Sequence, residues 1–249
     1  PFTIPGNVSS QFITGLLFAL PLLAEESTLR VEGELESKGY VDMTLSALQT
    51  FGLTPPQADG GWKVSPGVFQ SPGTLRVEGD WSAAAFWLAA NRMGSEIEVS
   101  GLDPDSAQGD RVVEKLLCAS FIDAKDTPDL VPALAVCAAL QPHETVITGA
   151  ARLRIKESDR LKTTAQLINS LGGKVKELAD GLEITGVGKL YGGFAEGCGD
   201  HRIVMSAAVC ASGAAEKIKC TDAMSINKSY PDFFEDYAKI GGTAELSEV

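Results

Sequence analysis

The feature of this sequence that most restricts its fold is an internal repeat. Four segments of the 249-residue chain follow one plan: a turn rich in Gly, Asp, Asn or Ser, an apolar helix of small residues, a strand, and then a polar turn and an amphipathic helix. Self-similarity of this kind means that one supersecondary unit is used repeatedly. Its period of roughly 60–75 residues is too long for a solenoid and suits a βαβαββ unit. We therefore predict an α/β fold assembled from repeated βαβαββ units.

Apolar periodicity places the elements within these repeats. Runs of small apolar residues predict buried helices, helical spacing of apolar residues predicts amphipathic helices, and short apolar runs between turns predict strands. Buried helices are predicted at residues 9–23, 82–91, 130–140 and 201–211, amphipathic helices at 41–51, 110–117, 158–170 and 231–240, and strands at 28–31, 96–99, 145–147, 181–185 and 217–220.

Composition and charge exclude several classes of function. With 44% hydrophobic residues, the chain can bury a sizeable core. Its net charge of −12 argues against nucleic acid and anionic membrane surfaces as partners. The apolar run at residues 12–24 is interrupted by Pro21, so it predicts a buried helix and not a membrane span.

Targeting and metal-binding signals are also lacking in the sequence. The first residues form no charged leader, so we expect no signal peptide. The five cysteines are odd in number and show no C-x-x-C spacing, which predicts reduced thiols and a cytoplasmic protein. With two histidines and no Cys/His ligand set, we expect no metal site.

Against this acidic background, residues 154–160 (Arg-Ile-Lys-Glu-Ser-Asp-Arg) gather three basic side chains and two carboxylates. A second cluster, Asp200-His201-Arg202, and then Lys228 follow in register with the repeat. Arg and Lys suit phosphate and carboxylate groups, and a carboxylate between cations has the shifted pKa that proton transfer requires. Together these residues predict a site for a small molecule with several negative charges. For the first cluster taken alone, a solvated helix face is the alternative.

Two predicted helix starts allow a structural and a functional interpretation. Ser9 and Ser10 fit plain N-caps, and Asp129 beside Pro128 fits a residue that complements the helix dipole. Helix N-termini also direct backbone N–H groups outward, and several such ends together would bind anions well. The sequence leaves both interpretations open.

Seven motifs occur in order between Pro5 and Gly242: G-N-x-S-S-Q-F, S-K-G-Y-x-D-M-T, G-D-x-S-A-A-A-F, D-x-P-D-L-x-P-x-L-A-V, R-I-K-E-S-D-R-L, G-D-H-R-I-V-M and N-K-S-Y-P-D-F-F. As an ordered set they resemble the 5-enolpyruvylshikimate-3-phosphate synthase family. The related UDP-N-acetylglucosamine enolpyruvyl transferases share that fold but lack the R-x-K-E-[ST]-D-R and D-H-R pair in this form.

The resemblance implies the enolpyruvyl transferase fold, an inside-out α/β barrel with helices inside, sheets outside and three units per complete domain. Family members have six βαβαββ units, whereas this chain shows about four. We therefore expect the C-terminal part of such an enzyme, lacking the N-terminal portion. Residues 1–77 would be the last unit of an incomplete first domain, and residues 78–249 most of the second domain. A complementing N-terminal half would then be needed.

The resemblance also implies an activity. The family transfers the enolpyruvyl group of phosphoenolpyruvate to the 5-hydroxyl of shikimate 3-phosphate and releases phosphate, in the shikimate pathway of aromatic amino acid biosynthesis that glyphosate targets. No cofactor is required. Asp129 matches the proton acceptor at the hydroxyl, and Glu157 matches the proton donor at the methylene carbon. The shikimate 3-phosphate contacts match Ser9, Ser10, Gln11, Ser37, Asp129 and Lys156, the phosphoenolpyruvate contacts match Gln11, Arg160, Arg202 and Lys228, and Tyr40 and His201 match supporting positions.

Two alternatives remain from the sequence. One is a non-catalytic half-enzyme that keeps its anion sites, which would bind phosphoshikimate without turnover. The other is an enolpyruvyl transferase that acts on a nucleotide sugar, which substrate competition would reveal.

Overall fold

The computed structural model describes residues 1–247 of the chain. These residues form two compact units. The first unit comprises residues 1–79 together with 103–111 and 125–127, and the second comprises residues 80–102, 112–124 and the described chain from 128 onward. The domain boundary that we predict after residue 77 stays a prediction.

The first unit contains one complete βαβαββ repeat. Its strands are β1 (Phe2–Pro5), β2 (Ser27–Glu32), β3 (Gln57–Ala58) and β4 (Gly61–Val64). Its helices are α1 (Ser10–Ala19), which continues into a 3-10 turn at Leu20–Leu22, and α2 (Lys38–Thr50). The sheet has the order β1-β2-β4-β3, with β1 parallel to β2 and β4 antiparallel to both β2 and β3.

The second unit repeats this plan. Helix α3 (Trp81–Arg92) and the short helix α4 (Val113–Leu116) precede a complete repeat. That repeat consists of β5 (Phe121–Asp123), a 3-10 turn (Pro128–Leu130), α5 (Val131–Ala139), β6 (Glu144–Thr148), a 3-10 turn (Ala151–Ile155), α6 (Arg160–Ser170), β7 (Lys174–Glu177) and β8 (Leu182–Thr185). Its sheet order, β5-β6-β8-β7, matches that of the first unit.

The last part of the second unit contains two parallel strands and two helices. These are β9 (Gly193–Ala195), α7 (His201–Cys210) with a 3-10 turn at Ala211–Gly213, β10 (Ile218–Cys220), a 3-10 turn at Ala223–Lys228, and α8 (Phe233–Lys239). The described strands therefore form three separate sheets and not one continuous parallel sheet.

Two equivalent glycines show that the two complete repeats share their geometry. A Cβ at Gly61 would lie 1.9 Å from the carbonyl oxygen of Leu29, and a Cβ at Gly181 would lie 1.8 Å from that of Ile147. In both repeats the last strand thus begins against the backbone of the second strand, where only glycine fits.

The core of the second unit is built on α3, α5 and α7, which contact one another. All nine residues of α5 are buried, and its Ala-rich sequence allows this close packing. Trp87 of α3 stacks on Phe233 of α8 with ring centroids 4.8 Å apart. The predicted arrangement, with small-residue helices packed against one another, is thus observed in this unit.

Residues 96–99, which we predict as a strand, do not form one. The alternation is real, because Ile97 and Val99 pack against the core. However, the backbone groups of Ile97 are occupied by the Asn91 side chain, which donates to Ile97 O at 2.8 Å and accepts from Ile97 N at 2.7 Å. An amide side chain therefore takes the place of a neighbouring strand.

Two helix predictions are also wrong in extent or burial. The predicted helix at 110–117 is a 3-10 turn followed by the four residues of α4. Helix α1 is not buried on all sides: Ile13 and Leu17 face the core, whereas Phe12 is 58% exposed and Leu22, in the following turn, is 70% exposed. Within residues 1–247, no helix is long and apolar enough to cross a membrane.

Candidate active site

The charged motifs of the second unit meet where helices begin. Asp129 lies in the 3-10 turn before α5, Glu157 lies in a bend before α6, and Arg160 is the first residue of α6. The side chain of Asp200 caps α7 by accepting from Arg202 N at 3.0 Å. Short polar residues favour such N-cap positions, so each motif fixes a helix start and presents its side chains there.

Arg160 lies at the centre of this group and is 1% exposed. Its guanidinium donates to three carboxylates: Nη1 to Asp129 Oδ1 at 2.9 Å, Nη2 to Glu157 Oε2 at 2.6 Å, and Nε to Asp200 Oδ2 at 2.8 Å. Nη2 also donates to Asp200 Oδ1 at 3.2 Å, so the pair with Asp200 is bidentate. A buried guanidinium needs such compensation, and its planar fork fixes the geometry of all three partners.

Three further cations complete the cluster. Arg202 donates to the backbone oxygen of Asp129 at 3.1 Å and to its Oδ2 at 3.2 Å, and Lys156 Nζ lies 3.8 Å from Asp129 Oδ1. Lys228 pairs with Glu157 Oε1. We call Asp129, Lys156, Glu157, Arg160, Asp200, Arg202 and Lys228 the ionic cluster. Its four cations and three carboxylates carry a net positive charge within an acidic chain.

The cations stabilise the ionised forms of two carboxylates of the cluster, those of Asp129 and Glu157. Burial raises the pKa of Asp129, but Arg202, Lys156 and Arg160 outweigh it and lower that pKa to about 2. Burial likewise raises the pKa of Glu157, and the hydrogen bond from Lys228 together with the charge of Arg160 lowers it to about 2. Both groups are therefore carboxylates at neutral pH in this arrangement.

His201 follows Asp200 and is buried. Burial, and then the charges of Arg202 and Arg160, lower the pKa of His201 to about 4. The imidazole is therefore neutral at neutral pH, and its Nδ1 lies 3.8 Å from Asp200 Oδ1. A neutral His201 adds no further positive charge to the cluster.

This assignment predicts a loss of stability in acid. Because the folded-state pKa of His201, about 4, lies below the ordinary histidine value of 6.5, neutral His201 contributes stability that is complete above pH 6.5 and is lost as the pH falls towards 4. We expect urea unfolding between pH 7 and 4.5 to show this loss, and H201Q to lack it. H143Q, a change at the other, exposed histidine, should behave like the unchanged chain. An equal pH dependence of H201Q and the unchanged chain would contradict the assignment.

Known proteins resemble this chain along nearly its whole length. The family model for EPSP synthase (3-phosphoshikimate 1-carboxyvinyltransferase) matches residues 1–120 and 117–237. The chain belongs to the EPSP synthase family. It is 40% identical over 264 residues to the 3-phosphoshikimate 1-carboxyvinyltransferase of Clostridium perfringens strain ATCC 13124, and 43% identical over 261 residues to that of Clostridium acetobutylicum. These alignments cover 97% of the chain but only 62% and 61% of the relatives, so the chain spans about three fifths of their length.

Solved structures support the fold of this EPSP synthase family member. The EPSP synthase of Acinetobacter baumannii superposes with a TM-score of 0.71 at 24% identity, covering 99% of the chain and 64% of that structure. The enolpyruvyl transferase NikO of Streptomyces tendae gives 0.67 at 15% identity, covering 98% and 64%. They confirm the predicted enolpyruvyl transferase fold.

The remaining family-matched residues lie in the first unit. Ser9 caps α1 and accepts from Gln11 N at 3.3 Å, and Ser10 is buried in the first turn of α1. Ser37 is the buried residue that precedes α2 and has a left-handed backbone, with φ of 53°. Tyr40 in the first turn of α2 donates to Asp110 Oδ2 at 3.4 Å. Because β1 and β2 are parallel, the starts of α1 and α2 follow strand ends at the same edge of the sheet.

The structure thus brings together Asp129, Lys156, Glu157, Arg160, Arg202 and Lys228, as their motif positions predict. Their roles towards ligands stay predictions. Sequence reasoning missed the part played by Asp200, which appeared only as a neighbour of Arg202. It also missed Ser158, whose Oγ donates to Asp200 Oδ2 at 2.9 Å. Among the described residues, no group of His, Cys, Asp and Glu side chains is placed to hold a metal ion.

Proposed function

We propose that this chain is the part of a 3-phosphoshikimate 1-carboxyvinyltransferase that carries its proton-transfer groups and its phosphoenolpyruvate contacts. The reaction is transfer of the enolpyruvyl group from phosphoenolpyruvate to the 5-hydroxyl of shikimate 3-phosphate, with release of phosphate. One observation carries the proposal: Asp129 and Glu157 are bridged by the buried Arg160 and lie among three further cations. Both a strongly anionic substrate and two proton transfers require such a set.

The cations suit phosphoenolpyruvate. This substrate carries a phosphate and a carboxylate, and Arg160, Arg202 and Lys228 supply three positive charges for them. Arg binds such oxygens bidentately, whereas Lys acts as a point charge. Lys156, whose Nζ lies 3.8 Å from Asp129 Oδ1, is then available for the phosphate of shikimate 3-phosphate.

The two carboxylates divide the chemistry. In the proposed first step, Glu157 gives a proton to the methylene carbon of phosphoenolpyruvate, and the adjacent carbon becomes an oxocarbenium-like centre. Asp129 accepts the proton of the 5-hydroxyl as its oxygen bonds to that centre. One methyl proton then returns to Glu157 as the bond to phosphate breaks, which forms the enol ether of the product and releases phosphate. Two carboxylates, one at each substrate in this proposal, suit these separate roles.

Substrate binding would prepare Glu157 to act as an acid. In the present arrangement Lys228 and Arg160 hold the pKa of Glu157 at about 2, so this carboxyl group is almost entirely ionised at neutral pH. A substrate phosphate or carboxylate that engages these cations removes their stabilisation of the carboxylate and adds a negative charge nearby. Both changes raise the pKa of Glu157. The anionic substrate would therefore generate the protonated acid that the first step needs.

The first unit would contribute the shikimate 3-phosphate contacts. Ser9, Ser10, Gln11 and Ser37 lie at or before the first turns of α1 and α2. Hydroxyl groups and backbone N–H groups at helix starts are favourable phosphate ligands. In this proposal Gln11 also reaches phosphoenolpyruvate, and Tyr40 and His201 support the residues beside them.

A complementing N-terminal portion is part of the proposal. Helix α3 of the second unit is covered by α5 and α7, whereas the equivalent helix α1 exposes Phe12, and the following turn exposes Leu22. The net charge of −12 makes nucleic acid and anionic membranes poor partners. The reduced cysteines that we infer from the sequence fit a cytoplasmic enzyme of aromatic amino acid biosynthesis, and the family relationship makes glyphosate a candidate inhibitor.

Reconstitution tests the proposal. The chain alone is expected to release little phosphate from phosphoenolpyruvate and shikimate 3-phosphate, because closing two domains orients the substrates and excludes water. Adding a separately expressed N-terminal portion of a clostridial relative should restore phosphate release. The matched control is the same mixture with a chain carrying R202Q. Efficient turnover by the chain alone would contradict the need for a second half, and transfer to a nucleotide sugar instead of shikimate 3-phosphate would contradict the substrate.

A further inference from the structure

Arg154 opens the charged motif of residues 154–160, yet it does not join the ionic cluster. Its guanidinium donates to Asp159 Oδ2 at 2.9 Å and to Glu177 Oε1 at 2.6 Å, both from Nη1. Nη2 donates to Leu178 O at 2.6 Å, and Nε donates to Ala179 O at 3.0 Å. The fork of Arg154 is thus directed at the turn between β7 and β8 and at Asp159, and its side chain is only 29% exposed.

The segment that these contacts hold carries two site residues. Lys156, Glu157 and Ser158 form a bend outside any helix or strand, between the 3-10 turn that ends at Ile155 and the start of α6. A segment of this kind depends on side-chain contacts for its conformation. Asp159 ends the bend, and its carboxylate both accepts from Arg154 and caps α6 by accepting from Lys162 N at 3.2 Å.

The two ends of the bend are held differently. At the α6 end, Arg160 and Ser158 both donate to the buried Asp200. At the other end, Arg154 connects the bend to the β7–β8 hairpin through the carboxylate of Glu177, the last residue of β7, and two carbonyl oxygens of the turn. Lys156 and Glu157 therefore lie between two multiply bonded arginines.

From this geometry we infer that Arg154 is a positioning residue, which fixes the bend of residues 156–158 against the β7–β8 turn so that Glu157 stays between Arg160 and Lys228. The inference rests on the proposed function for its catalytic meaning. Arg154 itself contacts no substrate in this scheme, because its donors are directed to the turn and to Asp159. A planar fork with several fixed donors suits this task, whereas a Lys side chain supplies one mobile ammonium group.

The test compares R154M and R154K with K176M in the full chain. Lys176 is the matched control, because its exposed ion pair with Glu183, 3.1 Å long, lies on the same hairpin and does not reach the bend. The first measurement is the pKa of the Glu157 carboxyl group by carbon-detected NMR titration, which needs no ligand. In the unchanged chain and in K176M we expect a value of about 2. In R154M the pKa should rise towards the ordinary glutamate value of 4.5, because Glu157 leaves Lys228 and Arg160.

R154K separates charge from geometry, since it keeps the cation but not the fork. We expect its Glu157 pKa to rise as well, and circular dichroism to show that the helices remain. If R154M does not fold, R154K alone decides the matter. An unchanged Glu157 pKa in a folded Arg154 variant would overturn the inference, as would an equal rise in K176M.

A second measurement, the binding of inorganic phosphate by calorimetry, distinguishes this inference from the proposed function. We expect phosphate affinity to fall about tenfold or more in R154M and to stay unchanged in K176M. If the unchanged chain does not bind phosphate, the proposed anion site fails, whereas the NMR comparison still decides the role of Arg154. If phosphate binds equally to R154M and to the unchanged chain, the positioning role is wrong.

Discussion

Replacing Asp200 by asparagine is expected to destabilise the second unit by about 3 kcal/mol or more, because it removes the charge that balances a buried arginine. Asp200 is fully buried and accepts from Arg160 Nε and Nη2, from Ser158 Oγ and from Arg202 N. Asparagine has nearly the same size and keeps one acceptor oxygen, so the loss of stability measures the ion pair and not the effect of a cavity. Urea unfolding at neutral pH measures the change.

The repeat supplies a matched control for this change. Asp80 caps α3 just as Asp200 caps α7, and it accepts from Ser82 N at 2.8 Å. D80N therefore makes the same change at a similar N-cap, where asparagine caps about as well as aspartate and little free energy of unfolding is lost, and it disturbs no arginine that the structure pairs with Asp80. If D200N and D80N lose the same free energy of unfolding, Asp200 acts as a cap alone and the ion pair adds no stability.

Much of the site could be predicted because its residues belong to local motifs. Lys156, Glu157 and Arg160 lie within one short segment before α6, and Arg202 lies in the first turn of α7. A helix start fixes where such side chains point, and the repeat places equivalent starts near one another. This explains why separated motifs converge around Asp129. The roles of those residues in catalysis stay predictions.

The partners of the buried arginine could not be predicted in the same way. Asp200 lies forty positions after Arg160 in the chain, and nothing in its local sequence separates a cap from an ion-pair partner. The N-cap pattern at Asp80 is nearly identical and serves α3 alone. For Arg154, the local pattern was misleading: composition grouped it with the anion-binding cations, but tertiary contacts direct it to the β7–β8 turn.

The fold predictions failed where a pattern depends on neighbours. Residues 96–99 have the alternation of a strand, but a strand also needs a paired backbone, and Asn91 takes the hydrogen bonds of Ile97. The apolar sequence of α1 likewise predicts burial, yet burial depends on what packs against each face. Ile13 has such a neighbour, whereas Phe12 is exposed. Periodicity reports what a segment can bury and not what covers it.

The largest effect on activity is expected from the two carboxylates of the ionic cluster. In the complemented enzyme, E157Q and D129N should each lower kcat by roughly a hundredfold or more, as loss of a positioned acid or base does. E157Q removes the proton donor. It also removes the negative charge that competes with the substrate for Arg160 and Lys228, so phosphoenolpyruvate should bind as well as before or better. D129N removes the proton acceptor but keeps an oxygen for Arg160 or Arg202.

Measurements of kcat and KM separate these roles from damage to the site, because loss of chemistry lowers kcat, whereas loss of binding raises KM. E183Q is the matched control, since Glu183 is an acidic residue of the same unit that pairs with the exposed Lys176. It should leave both constants unchanged. The pH dependence gives the sharper criterion: a kcat profile of E157Q that keeps the shape of the unchanged enzyme would show that Glu157 does not supply the titrating proton. Normal turnover by either variant would remove that carboxylate from the proposed mechanism and leave the cations with a binding role alone.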